Sequence, residues 1–107
     1  MRKPLIIAGA SIIAITGFAV HAATRNIEQS GQQFSEKSVS LGAGDSLTFV
    51  NHDDVTHNIN VINDDDDATD LGLQKPGQNL VYTFDKSGRF KVRCSIHPGM
   101  KMSVNVK

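Results

Sequence analysis

Cys94 is the single cysteine of this 107-residue chain, and it opens the run Cys94-Ser95-Ile96-His97-Pro98-Gly99-Met100. Thiolate, imidazole and thioether thus recur at three-residue steps, a soft donor set. A second imidazole, His57, heads the alternating stretch His57 to Asn63. One thiolate, two imidazoles and a weak thioether are the donors that suit a copper ion cycling between Cu(II) and Cu(I). Imidazole serves both states, and sulfur favours the reduced one. The rival chemistry for a Cys–His pair is nucleophilic catalysis. Two residues three apart on a tight turn make a poor nucleophile–base pair, and no oxyanion hole is suggested. Multicopper oxidase chemistry needs many more histidines than His52, His57 and His97, the three that come after His21.

Such donors need a rigid frame, and the sequence supplies strands. His57, Ile59 and Val61 fall on one parity, Asn58 and Asn60 on the other. Phe90, Val92 and Cys94 share a face, opposite Arg89, Lys91 and Arg93. Leu80, Tyr82 and Phe84 alternate, as do Met102, Val104 and Val106. A first strand is expected from Phe34 to Leu41, and another from Ser46 to Asn51 after the turn cluster Gly42-Ala43-Gly44-Asp45. Asp85-Lys86-Ser87-Gly88 reads as a hairpin turn, and Asn63 to Gly77 as a loop. Ala23 to Gln33 is polar and unpatterned, and is expected to be a flexible lead-in. No helical period lasts three turns after residue 22. The prediction is an all-β Greek-key sandwich or barrel over residues 34–107. His57 starts one strand and Cys94 ends another, both facing inward, so strand ends meeting at one pole would bring them together.

Composition narrows the setting. Lys and Arg number 11, as do Asp and Glu. Arg2 and Lys3 precede an apolar run from Leu5 to Val20, and Val20-His21-Ala22 offers small residues at −3 and −1. Residues 1–22 therefore read as a signal peptide cleaved after Ala22, which predicts export to a bacterial periplasm. The run is short for a membrane anchor. Residues 23–107 carry 9 basic and 11 acidic groups. That balance argues against nucleic acid as a partner. Exported proteins usually pair their cysteines, so a lone one calls for another role.

The stretch from Gly44 to Lys107 resembles the small type I copper proteins, the cupredoxins. The resemblance rests on Gly44-Asp45 before Phe49-Val50-Asn51, on His57-Asn58, on Phe84 to Phe90, and on the Cys-x2-His-x2-Met loop with Pro98 after His97. That short loop is similar to the one in amicyanins; plastocyanins and pseudoazurins have a longer Cys-x2-His-x4-Met loop. The resemblance implies one type I copper, with His57, Cys94 and His97 as equatorial ligands and Met100 as axial ligand. It implies that Asn58 tethers the Cys94 loop, and that electrons pass through the edge of His97. Met102 fits the longer spacing and is the alternative axial ligand. Met100 is preferred because Met-x3-Val-x-Val starts from it, and Met102 lies ~6–7 Å further along the strand. Ile96 stands where many members have Pro.

The expected function is a monomeric, mobile one-electron carrier and not an enzyme. Its partners would be a periplasmic dehydrogenase or oxidase and a cytochrome c, docked transiently. The alternative is copper storage or delivery. His52 reads as a surface histidine, and Asp64 to Asp67 as a solvated acidic run or a docking patch. Arg89, Lys91 and Arg93 read as the outer face of a strand, with a basic docking surface as the second reading.

Overall fold

A computed structural model describes residues 22–107. The expected signal peptide lies almost wholly outside the described residues. Nine strands are present among them: β1 (Thr24–Ser30), β2 (Gln33–Phe34), β3 (Ser38–Leu41), β4 (Asp45–Asn51), β5 (His57–Asn63), β6 (Ala68–Gln74), β7 (Asn79–Phe84), β8 (Gly88–Cys94) and β9 (His97–Val106). They form two sheets, ordered β3-β9-β8-β5-β6 and β2-β1-β4-β7. The sheets pack face to face as a sandwich. Most neighbours are antiparallel, but β1 runs parallel to β4 and β3 parallel to β9.

Alternation decides what faces inward. Leu47 and Phe49 from β4, Ile59 and Val61 from β5, Val92 from β8 and Val104 from β9 fill the space between the sheets. Ile27 and Phe84 are buried with them. Each large apolar side chain removed from water contributes about 1.5–3 kcal/mol. This mainly apolar interior, which also encloses Gln29 and Gln74, holds the sandwich.

Four expectations are corrected. The lead-in Ala23 to Gln33 contains β1, paired to β4 over Thr24–Gln29 and buried through Ile27 and Gln29. Its polar composition hid a strand whose inward points are only two residues. The strand expected from Phe34 to Leu41 is two, in different sheets, because the chain crosses between layers at Ser35–Lys37. Within the expected loop, Ala68–Gln74 is an edge strand. Only one of its neighbours is a strand, so it needs no buried alternation, and its pairing shifts opposite Asn58–Asn60. Finally, Asp85–Ser87 is no hairpin: β7 pairs with β4, whereas β8 pairs with β5 and β9. The turn carries the chain from one sheet to the other. Phe84 and Phe90 stack edge-to-face across it, with ring centroids 5.3 Å apart.

Candidate metal centre

His57 begins β5, Cys94 ends β8 and His97 begins β9, so three strand ends of one sheet converge at one pole. The convergence is tight. His57 Nδ1 and His97 Nδ1 are 3.1 Å apart, and Cys94 Sγ lies 3.5 Å from the second and 4.0 Å from the first. Their rings meet edge-to-face with centroids 4.9 Å apart. Metal–nitrogen bonds of about 2.0 Å and metal–sulfur bonds of about 2.3 Å in a trigonal plane would separate the donors by roughly 3.5–3.7 Å. The observed separations bracket those values, so the three donors fit one ion of that size.

The hydrogen bonding fixes the donor atoms. His57 is fully buried, and its Nε2 is 2.7 Å from Asp53 Oδ2. A carboxylate there requires the proton on Nε2, which leaves the Nδ1 lone pair aimed at the other donors. Asp53 is itself gripped by the amide N–H groups of Gly31 and Gln32, at 2.6 and 2.9 Å. Both turn residues have positive φ, 63° and 57°, which turns their two amides toward one anion. Partial burial pushes the Asp53 carboxyl up. The Gln32 amide, the His57 ring and the Gly31 amide outweigh it, holding the group below the usual carboxylate range.

Cys94 is also held. The Asn58 amide N–H points at its Sγ from 3.3 Å. The Asn58 side-chain oxygen accepts from the Ser95 amide (3.2 Å) and hydroxyl (2.7 Å), tying β5 to the loop after Cys94. Its nitrogen donates to Asp70 Oδ1 and to the Gly72 carbonyl. Asp70 is in turn lowered below the usual carboxylate range by the Gly72 amide and by Asn58. Asn58 is thus buried at the pole, although its parity along β5 faces away from the core.

Register separates the two methionines that follow His97. β9 leaves its register with β8 between His97 and Lys101, so Met100 falls in the irregular stretch beside His97. Met100 is fully buried. Met102 is buried too, but it pairs with Val92, one inward step below Cys94. Of the expected residues, His57, Asn58, Cys94 and His97 are brought together, and Met100 lies at the same pole. His52 is exposed, with Nε2 3.7 Å from Glu28 Oε1, away from the cluster. Sequence reasoning missed Asp53. Its position four residues before His57 was the available signal.

The matched family model settles the chemistry. It is that of the copper binding proteins of the plastocyanin/azurin family, over residues 21–107. This chain is a member of that family. Methylamine utilization protein MauL from Methylorubrum extorquens is 32% identical over 95 residues, covering 87% of this chain and 83% of that protein. The MauL protein of Methylophilus methylotrophus is 30% identical over 79 residues, covering 72% of this chain and 45% of its own length. A solved copper(I) amicyanin variant superposes with a TM-score of 0.70 at 20% identity, covering 86% of this chain and 88% of that one. The fold of this cupredoxin is therefore that of amicyanin, and one type I copper is its cofactor.

Proposed function

We propose that this cupredoxin is a periplasmic, mobile one-electron carrier whose copper is held by His57, Cys94 and His97, with Met100 as the weak fourth donor. The observation that carries the proposal is the meeting of two Nδ1 atoms and one Sγ within 3.1–4.0 Å at one pole. Bound copper supplies a single exchangeable electron by cycling between Cu(II) and Cu(I). The protein's part is to keep its donors still while the charge changes. Asp53 keeps the His57 proton on Nε2. The Asn58 amide N–H stabilises negative charge on Cys94 Sγ, and the Asn58 side chain fixes the loop that carries His97.

His97 is only partly buried, and Ile96 and Pro98 beside it are exposed. Such an edge supports electron exchange with a partner that docks weakly and leaves quickly. The partners we propose are a dehydrogenase or oxidase as donor and a cytochrome c as acceptor. The names of the MauL relatives support a methylamine-oxidising donor as a first candidate. Residues 1–22 are proposed to direct export and to be removed after Ala22; N-terminal sequencing of the exported protein tests this. Storage or delivery would need a labile site, and a fully buried His57 beside a buried Cys94 does not favour one.

The deciding experiment is a visible absorption spectrum of the Cu(II)-loaded protein. Two imidazoles and a thiolate around Cu(II) should give an intense band near ~600 nm. Cys94→Ser should abolish it. A colourless wild-type protein, or a variant that stays blue, would overturn the assignment.

A further inference from the structure

The outer face of β8 and β9 carries a charge pattern that the fold does not require. Arg93 and Lys101 are direct cross-strand partners, and Lys91 lies further along the same face opposite Ser103. Like charges placed directly opposite each other destabilise a sheet. Lys37 adds a fourth cation, because its carbonyl accepts the Ser103 amide at 3.0 Å. All four side chains are exposed, and together they line a shallow groove of about 330 Å³. None has a carboxylate within 4.0 Å among the described residues, where the two ion pairs are His52–Glu28 and His57–Asp53.

The pattern is segregation and not excess. After residue 22 the chain has more acids than bases, yet Asp64 and Asp66 meet the basic strip only at its far end, where they share a cavity with Arg89 and Lys91. At the other end, a notch lined by Arg93, Cys94, Ser95 and Pro98 joins the strip to the metal pole. We infer that the groove formed by Lys37, Lys91, Arg93 and Lys101 is the docking surface for a redox protein that presents a cluster of carboxylates. Charge complementarity of this kind orients a short-lived complex and speeds its formation. That the occupant is a redox protein rests on the electron-carrier reading. The preference for carboxylates rests on the sheet alone.

The test uses the copper-loaded protein, labelled with nitrogen-15, reduced and titrated with a hexaglutamate peptide at low salt. The amides of Lys37, Lys91, Arg93 and Lys101 should shift, and the shifts should fade as salt rises toward ~0.15 M. Lys91→Glu should weaken binding roughly fivefold, while Lys75→Glu, the same charge change at the β6–β7 turn, should leave it within about twofold. Shifts spread evenly over all lysines, or equal effects of the two variants, would overturn the proposal. So would binding to phosphatidylglycerol vesicles without a peptide response, which would make the face a membrane contact. Concentration-dependent shifts without peptide, joining this face to Asp64–Asp67 of a second copy, would overturn it as well. The visible spectrum taken before reduction judges the copper reading separately, and the peptide map can be read whatever that spectrum shows.

Discussion

The two imidazoles of the site are held in opposite ways. His57 is fully buried, opens an interior strand, and has its far nitrogen locked 2.7 Å from Asp53. His97 is partly exposed and opens β9 just after the two-residue loop Ser95-Ile96, and the β8–β9 register breaks directly after it. One half of the proposed donor set is built into the sandwich, and the other stands at the first residue of β9, on its rim. The proposed carrier role uses both: the buried half would limit ligand movement, and the rim half would give a partner access to the electron.

The sharpest way to break this comparison is to delete each ring in the copper-free protein. His57→Ala removes a buried side chain and strips Asp53 of its partner. It should cost about 2–4 kcal/mol in urea unfolding. His97→Ala should cost under about 1 kcal/mol. Loaded with Cu(II), both variants should lack the blue band of the wild-type protein. Equal costs would mean that the loop is as much a part of the folding core as β5.

Next in size is the carboxylate behind His57. Asp53→Asn keeps an oxygen for the Gly31 amide, but its amide nitrogen then replaces the oxygen that faces both the Gln32 amide and His57 Nε2. The ring proton is driven toward Nδ1, where it competes with the metal. Copper affinity should fall about tenfold or more and the reduction potential should move, while Asp54→Asn should change neither. An unaltered affinity in Asp53→Asn would show that strand packing alone orients His57.

Smaller still is the difference between the two methionines. Met100→Leu should shift the reduction potential and the band intensities. Met102→Leu should leave both in place and change stability by less than about 1.5 kcal/mol. The reverse result would move the fourth donor one inward step down β9.

How far the sequence could be read depended on where each signal came from. His97 was legible from its three-residue step after Cys94. His57 and Cys94 were legible because alternation fixes which way a strand residue points and strand ends gather at poles. β5 and β9 were legible for the same reason. β1 and β6 were not. β1 has two inward residues, one of them Gln29, and edge strand β6 has little buried face. Asp53 stands four residues before His57, but its role as a clamp could not be read from that spacing alone. Its role depends on the Gly31–Gln32 turn, more than twenty residues earlier in the chain. Only the parallel pairing of β1 with β4 brings that turn to the pole.

That pairing has a second clamp at its other end, which yields the smallest predicted effect. Asp45 opens β4 and accepts the Ala23 amide at 2.9 Å and the Gly42 amide at 2.8 Å. Asp53 lies just beyond β4 and accepts the two turn amides. The same strand β1 is therefore pinned by one carboxylate at each end. The Ala23 and Gly42 amides hold Asp45 below the usual carboxylate range. A depressed folded value stabilises the fold above the unfolded pKa of about 3.9, and that contribution is lost as pH falls through the lower, folded value. On the proposed maturation after Ala22, the Ala23 nitrogen becomes an ammonium and the contact becomes charge-assisted. Asp45→Asn should thus lower the melting temperature slightly at neutral pH, and the gap should close in strong acid, where the wild-type carboxyl is protonated. The blue band should be unchanged, because this clamp lies at the end of β4 away from the copper. Loss of the band in Asp45→Asn would mean that the two ends of β1 act as one unit, and that fraying at Ala23 reaches Gly31 and releases Asp53.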